Sequence, residues 1–250
     1  MTASTTLQLA LFTAAVFGFR HGFDYDHIAA IADITSIEIL PAKAMRMGLL
    51  YVLGHAATVA LLGGAAILFQ RALPAGFDHW AERAVGLTLV LLSLYVLGTL
   101  LRSPLASTPR SRAAILMGGF RWIAWWAARL FNPGAGTKRP EVQARYSHGS
   151  VALIGAIHGL GAETPSQLLL FLLAANLGGA GRGLLGLAMF LAGLLVMNTL
   201  MTASAVGIFG ASAARPKLMR IVAACAAVYS LVVGTIFLFG SLHLLPSLRG

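Results

Sequence analysis

The feature that most constrains this chain is a succession of apolar runs, each longer than the ~18 residues a membrane-crossing helix requires. Six are readable, at roughly 7–35, 44–69, 82–102, 149–175, 183–209 and 218–243. Hydrocarbon offers no water to backbone N–H and C=O groups, so such segments cross as helices. Composition agrees: 58% of the 250 residues are hydrophobic and only 10% are charged, where a soluble domain carries about 25%. The expected architecture is an all-α integral membrane protein of about six transmembrane helices. The first run is long and has a polar centre, which predicts a kinked or broken helix.

The formal charge of +10 would suggest nucleic acid in a soluble protein. Here 11 of the 18 basic residues fall in two loops, Arg102 to Arg145 and Arg215 to Arg220. That is the pattern of cytoplasmic loops facing anionic lipid, not of a nucleic-acid surface. With six spans, the loops on one side carry thirteen Lys and Arg and the other side carries four. The positive-inside rule then predicts a multi-pass inner (plasma) membrane protein with both termini extracytoplasmic. Met1 to Gln8 holds no basic residue, so a cleaved signal peptide is not expected. Cys225 is the only cysteine, which excludes an intrachain disulfide, and it reads as a small packing residue.

The longest loop divides the chain into a first three-helix unit (1–102), a central cytoplasmic loop (103–148) and a second three-helix unit (149–250). Within the loop, 113–131 is apolar on one side and carries Arg121, Arg129, Trp122, Trp125 and Trp126. Trp and Arg suit the headgroup boundary, so an interfacial amphipathic helix is expected, with a seventh span as the alternative. Thr137 to Tyr146 reads as a basic linker.

A short repeat links the two units. Gly18-Phe19-Arg20-His21-Gly22-Phe23-Asp24-Tyr25-Asp26 aligns without gaps on Gly155-Ala156-Ile157-His158-Gly159-Leu160-Gly161-Ala162-Glu163. Three spans per copy force the second copy to sit upside down. This predicts a 3+3 inverted repeat with a site near the midplane, a recurrent transporter architecture.

Within the expected spans lie His21, Asp24, Asp26, His27, Asp33, His55, His158 and Glu163. An Asp at the centre of a span costs roughly 2.5–3.5 kcal/mol on the insertion scale, so such residues mark sites and have partners. Carboxylates and imidazoles are the usual ligands of first-row divalent metals, and imidazole suits Ni, Co and Zn. The candidate metal residues are His21, Asp24, Asp26, His27 and His55. On a regular helix His21 shares a face with Asp24, and Asp24 with His27. Asp26 points elsewhere, or orients an imidazole. His158, Glu163 and Asn198 form a second-half site or pathway, Glu163 beside the helix-breaking Pro165. The competing reading is a purely structural polar network. Arg20 neutralises a nearby Asp or serves the site; Asp33 reads as a solvated helix-end charge. Asn176 reads as an interhelical hydrogen bonder, and His79, His148 and His243 as interfacial residues.

These residues resemble the nickel/cobalt transporter family (NiCoT), whose signature is H-x4-D-H in a membrane helix. Arg20-His21-Gly22-Phe23-Asp24-Tyr25-Asp26-His27-Ile28-Ala29-Ala30-Ile31 is similar to that signature. Leu53-Gly54-His55-Ala56-Ala57-Thr58-Val59 looks like the family's L-G-H-S-T-V-V. Leu160-Gly161-Ala162-Glu163-Thr164-Pro165-Ser166-Gln167 looks like L-G-F-D-T-A-T-E, and Ala192-Gly193-Leu194-Leu195-Val196-Met197-Asn198-Thr199 like A-G-M-x-x-x-D-T. Asn198 and Gln167 stand where the family has carboxylates, which makes the path less anionic. The family usually has eight spans, with one before the signature helix that this chain is expected to lack.

The resemblance implies secondary transport of Ni2+ or Co2+, as uptake, with the metal as substrate and no cofactor. His21, Asp26 and His27 would bind the ion, with Asp24 and His55 close by. Efflux of the same metals is the nearest alternative. A metalloenzyme is less well supported, since no H-E-x-x-H or G-x-S-x-G motif occurs. No Gly-rich nucleotide loop points to direct ATP use. A third alternative is a membrane partner in metalloenzyme maturation.

Overall fold

The computed structural model describes residues 3–36, 38, 40–69, 76–102, 147–161 and 179–241, and every regular element among them is helical. The helices are α1 (Ala3–His21), α2 (Tyr25–Thr35), α3 (Pro41–Phe69), α4 (Phe77–Arg102), α5 (His148–Leu160), α6 (Ala180–Ser212) and α7 (Pro216–Leu238). Four of them, α3, α4, α6 and α7, are long and apolar enough to cross a membrane, and α5 is a shorter apolar helix. At 1.5 Å per residue, α3 extends about 43 Å, more than the ~30 Å hydrocarbon core. The second half of the expected fourth span lies outside the described residues. So do the segment 113–131, the linker 137–146, Glu163, Pro165, Gln167, Asn176 and His243.

The first expected span is broken. Phe23 N–H donates to Arg20 O (2.9 Å) and Asp24 N–H to His21 O (3.0 Å), tight turns that close α1. Asp24 then takes extended backbone, φ −69° and ψ 155°, as the N-cap of α2. A regular helix through 21–27, the geometry assumed in assigning shared faces, is therefore replaced by a turn. The eleven-residue α2 packs against α3, α4, α6 and α7. Ala29, Ala30, Ile31 and Ile34 are buried there, and Asp33 with them at 0% exposure. Asp33 is thus a core carboxylate, not a solvated helix end.

Large apolar side chains cover the outside as well as the core, and ionisable ones lie within. Phe12, Leu61, Leu68, Leu94, Val196, Leu200, Val228 and Val232 are exposed, while His21, Asp26, His27, Asp33, His55, His158 and Asn198 are buried. An apolar exterior with the ionisable groups held inside suits hydrocarbon as solvent. Three threonine hydroxyls within the helices bond back to their own carbonyls: Thr35 to Ile31 O (2.7 Å), Thr202 to Asn198 O (2.8 Å) and Thr235 to Leu231 O (2.7 Å). None of these groups is left bare in an apolar setting. Cys225, read as a packing residue, instead lies exposed on α7.

Glycines set the helix contacts, and they do so in matched sets. A methyl group on Gly18 of α1 would overlap the backbone oxygen of Phe190 on α6, and one on Gly155 of α5 would overlap that of Tyr51 on α3. Three residues before Gly18, Ala15 O meets Gly193, three after Phe190. Three residues before Gly155, Ala152 O meets Gly54, three after Tyr51. Between α4 and α7, Gly86 abuts Gly234 O and the Leu238 backbone, and Gly234 abuts Gly86 O and the Val90 backbone. Lacking a hydrophobic drive in lipid, helices associate by close backbone packing of this kind. Four residues after Gly18, Gly22 abuts Leu194 O and Met197, and four after Gly155, Gly159 abuts His55 O and Thr58, so α1 runs parallel to α6 and α5 parallel to α3, while α4 is antiparallel to α7.

Candidate metal centre

The break after α1 brings three imidazoles together. His21 ends α1, His27 lies in the first turns of α2 and His55 sits midway along α3. One ring nitrogen from each lies within 4.8 Å of the others. The ring centroids are 4.9 Å apart for His21 and His27, 4.4 Å for His27 and His55, and 5.6 Å for His21 and His55. All three residues are buried. Phe190 stacks on His21 at 5.7 Å, sealing one side with an apolar ring.

Partners on the outer side fix how two of these rings face. His21 Nδ1 lies 2.8 Å from Asp24 Oδ2, so its N–H donates to the carboxylate. Asp24 makes no side-chain cap bond to α2, although it occupies the N-cap. His27 Nδ1 lies 3.1 Å from Asn198 Oδ1. With the amide oxygen accepting, the His27 proton is on Nδ1 and the lone pair is on Nε2. That Nε2 has no hydrogen-bond partner among the described residues, and neither nitrogen of His55 has one. Buried polar atoms without partners are rare because each forfeits its hydration.

Such an arrangement suits a divalent ion. Nitrogens ligate first-row metals at ~2.0–2.1 Å, so two on one ion stand at most ~4.2 Å apart. Small ring rotations would bring the present spacing inside that limit. Three neutral imidazoles supply no charge, but two carboxylates flank them. Asp24 sits behind His21, and Asp26 Oδ2 lies 3.9 Å from His27 Nε2. Together they match a 2+ ion.

Asp26 also lies 3.8 Å from His158 Nδ1. His158 belongs to a separate hydrogen-bonded set. The Thr88 hydroxyl donates to Val85 O (2.7 Å), so it accepts from His158 Nε2–H at 2.9 Å. His158 Nδ1 then accepts from the Tyr51 hydroxyl at 3.1 Å. Both nitrogens of His158 are engaged, unlike those of His55.

Of the residues singled out in the sequence, His21, His27 and His55 converge, Asp24 and Asp26 flank them, and Asn198 backs His27. His158 stands across Asp26, and Glu163 lies outside the described residues. Arg20 makes no ion pair among the described residues, so the expected neutralisation of an Asp is not seen there. His79 and His148 are exposed, as expected of boundary residues. Sequence reasoning missed Tyr51 and Thr88. Tyr51 was within reach, because it precedes His55 by one helical turn. Thr88, an ordinary residue in an apolar span, gave no signal.

No family model matches the chain. It is similar to the cobalt transport protein NhlF of Rhodococcus rhodochrous, at 28% identity over 171 residues, covering 65% of this chain and 48% of that protein. The chain thus spans about half the length of the curated relative it matches. No solved structure matches.

Proposed function

We propose that this protein is a secondary transporter of divalent transition-metal cations, Ni2+ or Co2+, working in the direction of uptake. The observation that carries this reading is the buried set His21, His27 and His55, in which His27 Nε2 and both nitrogens of His55 have no hydrogen-bond partner among the described residues. A polar network serving only to join helices would pair those nitrogens with one another or with hydroxyls, as His158 is paired. Similarity to a cobalt transporter supports the same conclusion and favours transport over catalysis.

In this reading the cation sheds part of its hydration and binds the three imidazoles. Asp24 and Asp26 balance its charge, and Asp26 hands it toward the His158 side. Glu163 would extend that route. Membrane potential draws a divalent ion inward by about 4.6 kcal/mol per 100 mV, twice the single-charge value.

The reading includes six spans in a 3+3 inverted repeat, with units 1–102 and 149–250 joined by the central loop. The matched glycine contacts support it. Exchanging the two units carries the α1 and α6 contact onto that of α5 and α3, and returns the α4 and α7 contact to itself. The cargo site falls between the α1 and α6 pair and the α3 and α5 pair. Movement of one pair against the other would separate His55 from His21 and His27 and release the ion.

The test is uptake of radioactive Ni2+ and Co2+ into proteoliposomes with an inside-negative potential. Saturable flux in the wild type, abolished in His27→Ala and in His55→Ala, is expected. Flux indifferent to both histidines would overturn the reading.

A further inference from the structure

Asn198 is fully buried on α6, far in sequence from the histidines, and its only side-chain hydrogen bond among the described residues is with His27 Nδ1. Its Nδ2 has no partner among the described residues. Thr202 donates to the Asn198 carbonyl one turn on, so the backbone at this point is anchored. An amide buried for this one contact is costly unless the contact has a use.

We propose that Asn198 is a positioning residue that holds His27 in the Nδ1–H tautomer and thereby directs its Nε2 lone pair into the cargo site. The inference rests on the reading of the three-histidine cluster as that site. An imidazole offers one lone pair, and the partner of its other nitrogen decides which one. Without the amide oxygen, His27 has no acceptor for an Nδ1 proton among the described residues, and the ring is free to protonate Nε2 and face away. The amide acts without adding charge: a carboxylate here would be a third negative group beside Asp24 and Asp26. Asn198 therefore also sets how tightly the ion is held. A neutral acceptor aims His27 while leaving it a weaker base, which favours release of a cargo over permanent binding.

The experiment uses full-length protein in lipid nanodiscs with isotope-labelled histidine. The His27 signal is assigned by its loss in His27→Gln, and the ring 15N pattern separates the two neutral tautomers. Co2+ affinity is measured on the same samples by titration. Wild-type His27 is expected as Nδ1–H. Asn198→Ala should lose that preference and weaken Co2+ binding about 10–100-fold, the usual cost of removing a ligand's outer partner. Asn198→Asp should keep the tautomer and bind Co2+ more tightly than the wild type. The proposal is overturned if wild-type His27 is Nε2–H, a result that needs no variant to fold. It is also overturned if Asn198→Ala leaves tautomer and affinity unchanged. Failure of the cargo reading looks different: the wild-type protein would bind no Co2+ at all, and the role in metal binding given to Asn198 would fall with it.

Discussion

His27 and His55 meet edge to face with ring centroids 4.4 Å apart, although they stand on separate helices, α2 and α3. Neither His27 Nε2 nor any nitrogen of His55 finds a hydrogen bond in that contact. The closeness is therefore unfavourable without a guest, and substitutions at His55 should separate stability from function. His55→Leu removes two polar atoms that have no partner among the described residues, each worth roughly 1–3 kcal/mol when left buried. Its melting temperature in detergent should rise while Co2+ binding falls by more than ~100-fold, beyond the loss from an outer partner. A variant that binds Co2+ normally would exclude His55 as a ligand.

His158 should behave differently. Its two nitrogens are occupied by Tyr51 and Thr88, so it is not expected to contribute to the first binding step. His158→Gln should lower the maximal uptake rate while changing the Co2+ dissociation constant less than about threefold, well below the loss of even an outer partner. Loss of equilibrium binding to the same degree as in His55→Leu would place it among the ligands.

Acidity should weaken cargo binding. A proton and a metal ion compete for the same imidazole lone pair, so affinity falls as pH drops far enough to protonate the histidines. Binding titrations between about pH 5 and 7.5 should show Co2+ affinity rising with pH. A flat profile would argue for carboxylates as the principal ligands.

Glycine substitutions should sort by their contacts. Gly155→Val drives a side chain against the Tyr51 backbone and displaces the helix that carries His55. Expression, melting temperature and uptake should all fall. Gly64 faces open space, so Gly64→Ala should leave uptake intact and stabilise by up to ~1 kcal/mol through helix propensity. Equal effects of the two would contradict the packing described.

The membrane class and most of the cluster were legible because their signals are chemically expensive. An ionisable residue inside an apolar run has few benign explanations, so His21, Asp26, His27 and His55 stood out from sequence alone. The break after His21 was legible too, from length and polarity. What escaped was three-dimensional. Asp33 reads as an end charge when the helix is drawn straight, and becomes a core group only because α2 is enclosed by four neighbours. Thr88 reaches His158 across helices, and no spacing along the chain encodes that meeting. Asn198 was visible as a polar residue, but its attachment to His27 depends on α6 lying beside α2.

The glycine-matched pairs also dictate an order of assembly. Gly18 emerges from the ribosome on the order of 170 residues before Phe190, the backbone it is shaped to touch. At ~5–20 residues per second, α1 waits about 10–30 s for its partner. Through that interval His21 and His27 stand in the membrane without α6. Newly made chains therefore pass through a stage in which the first helices depend on lipid, the insertion machinery or chaperones to shield the same polar groups that later close into the three-histidine cluster.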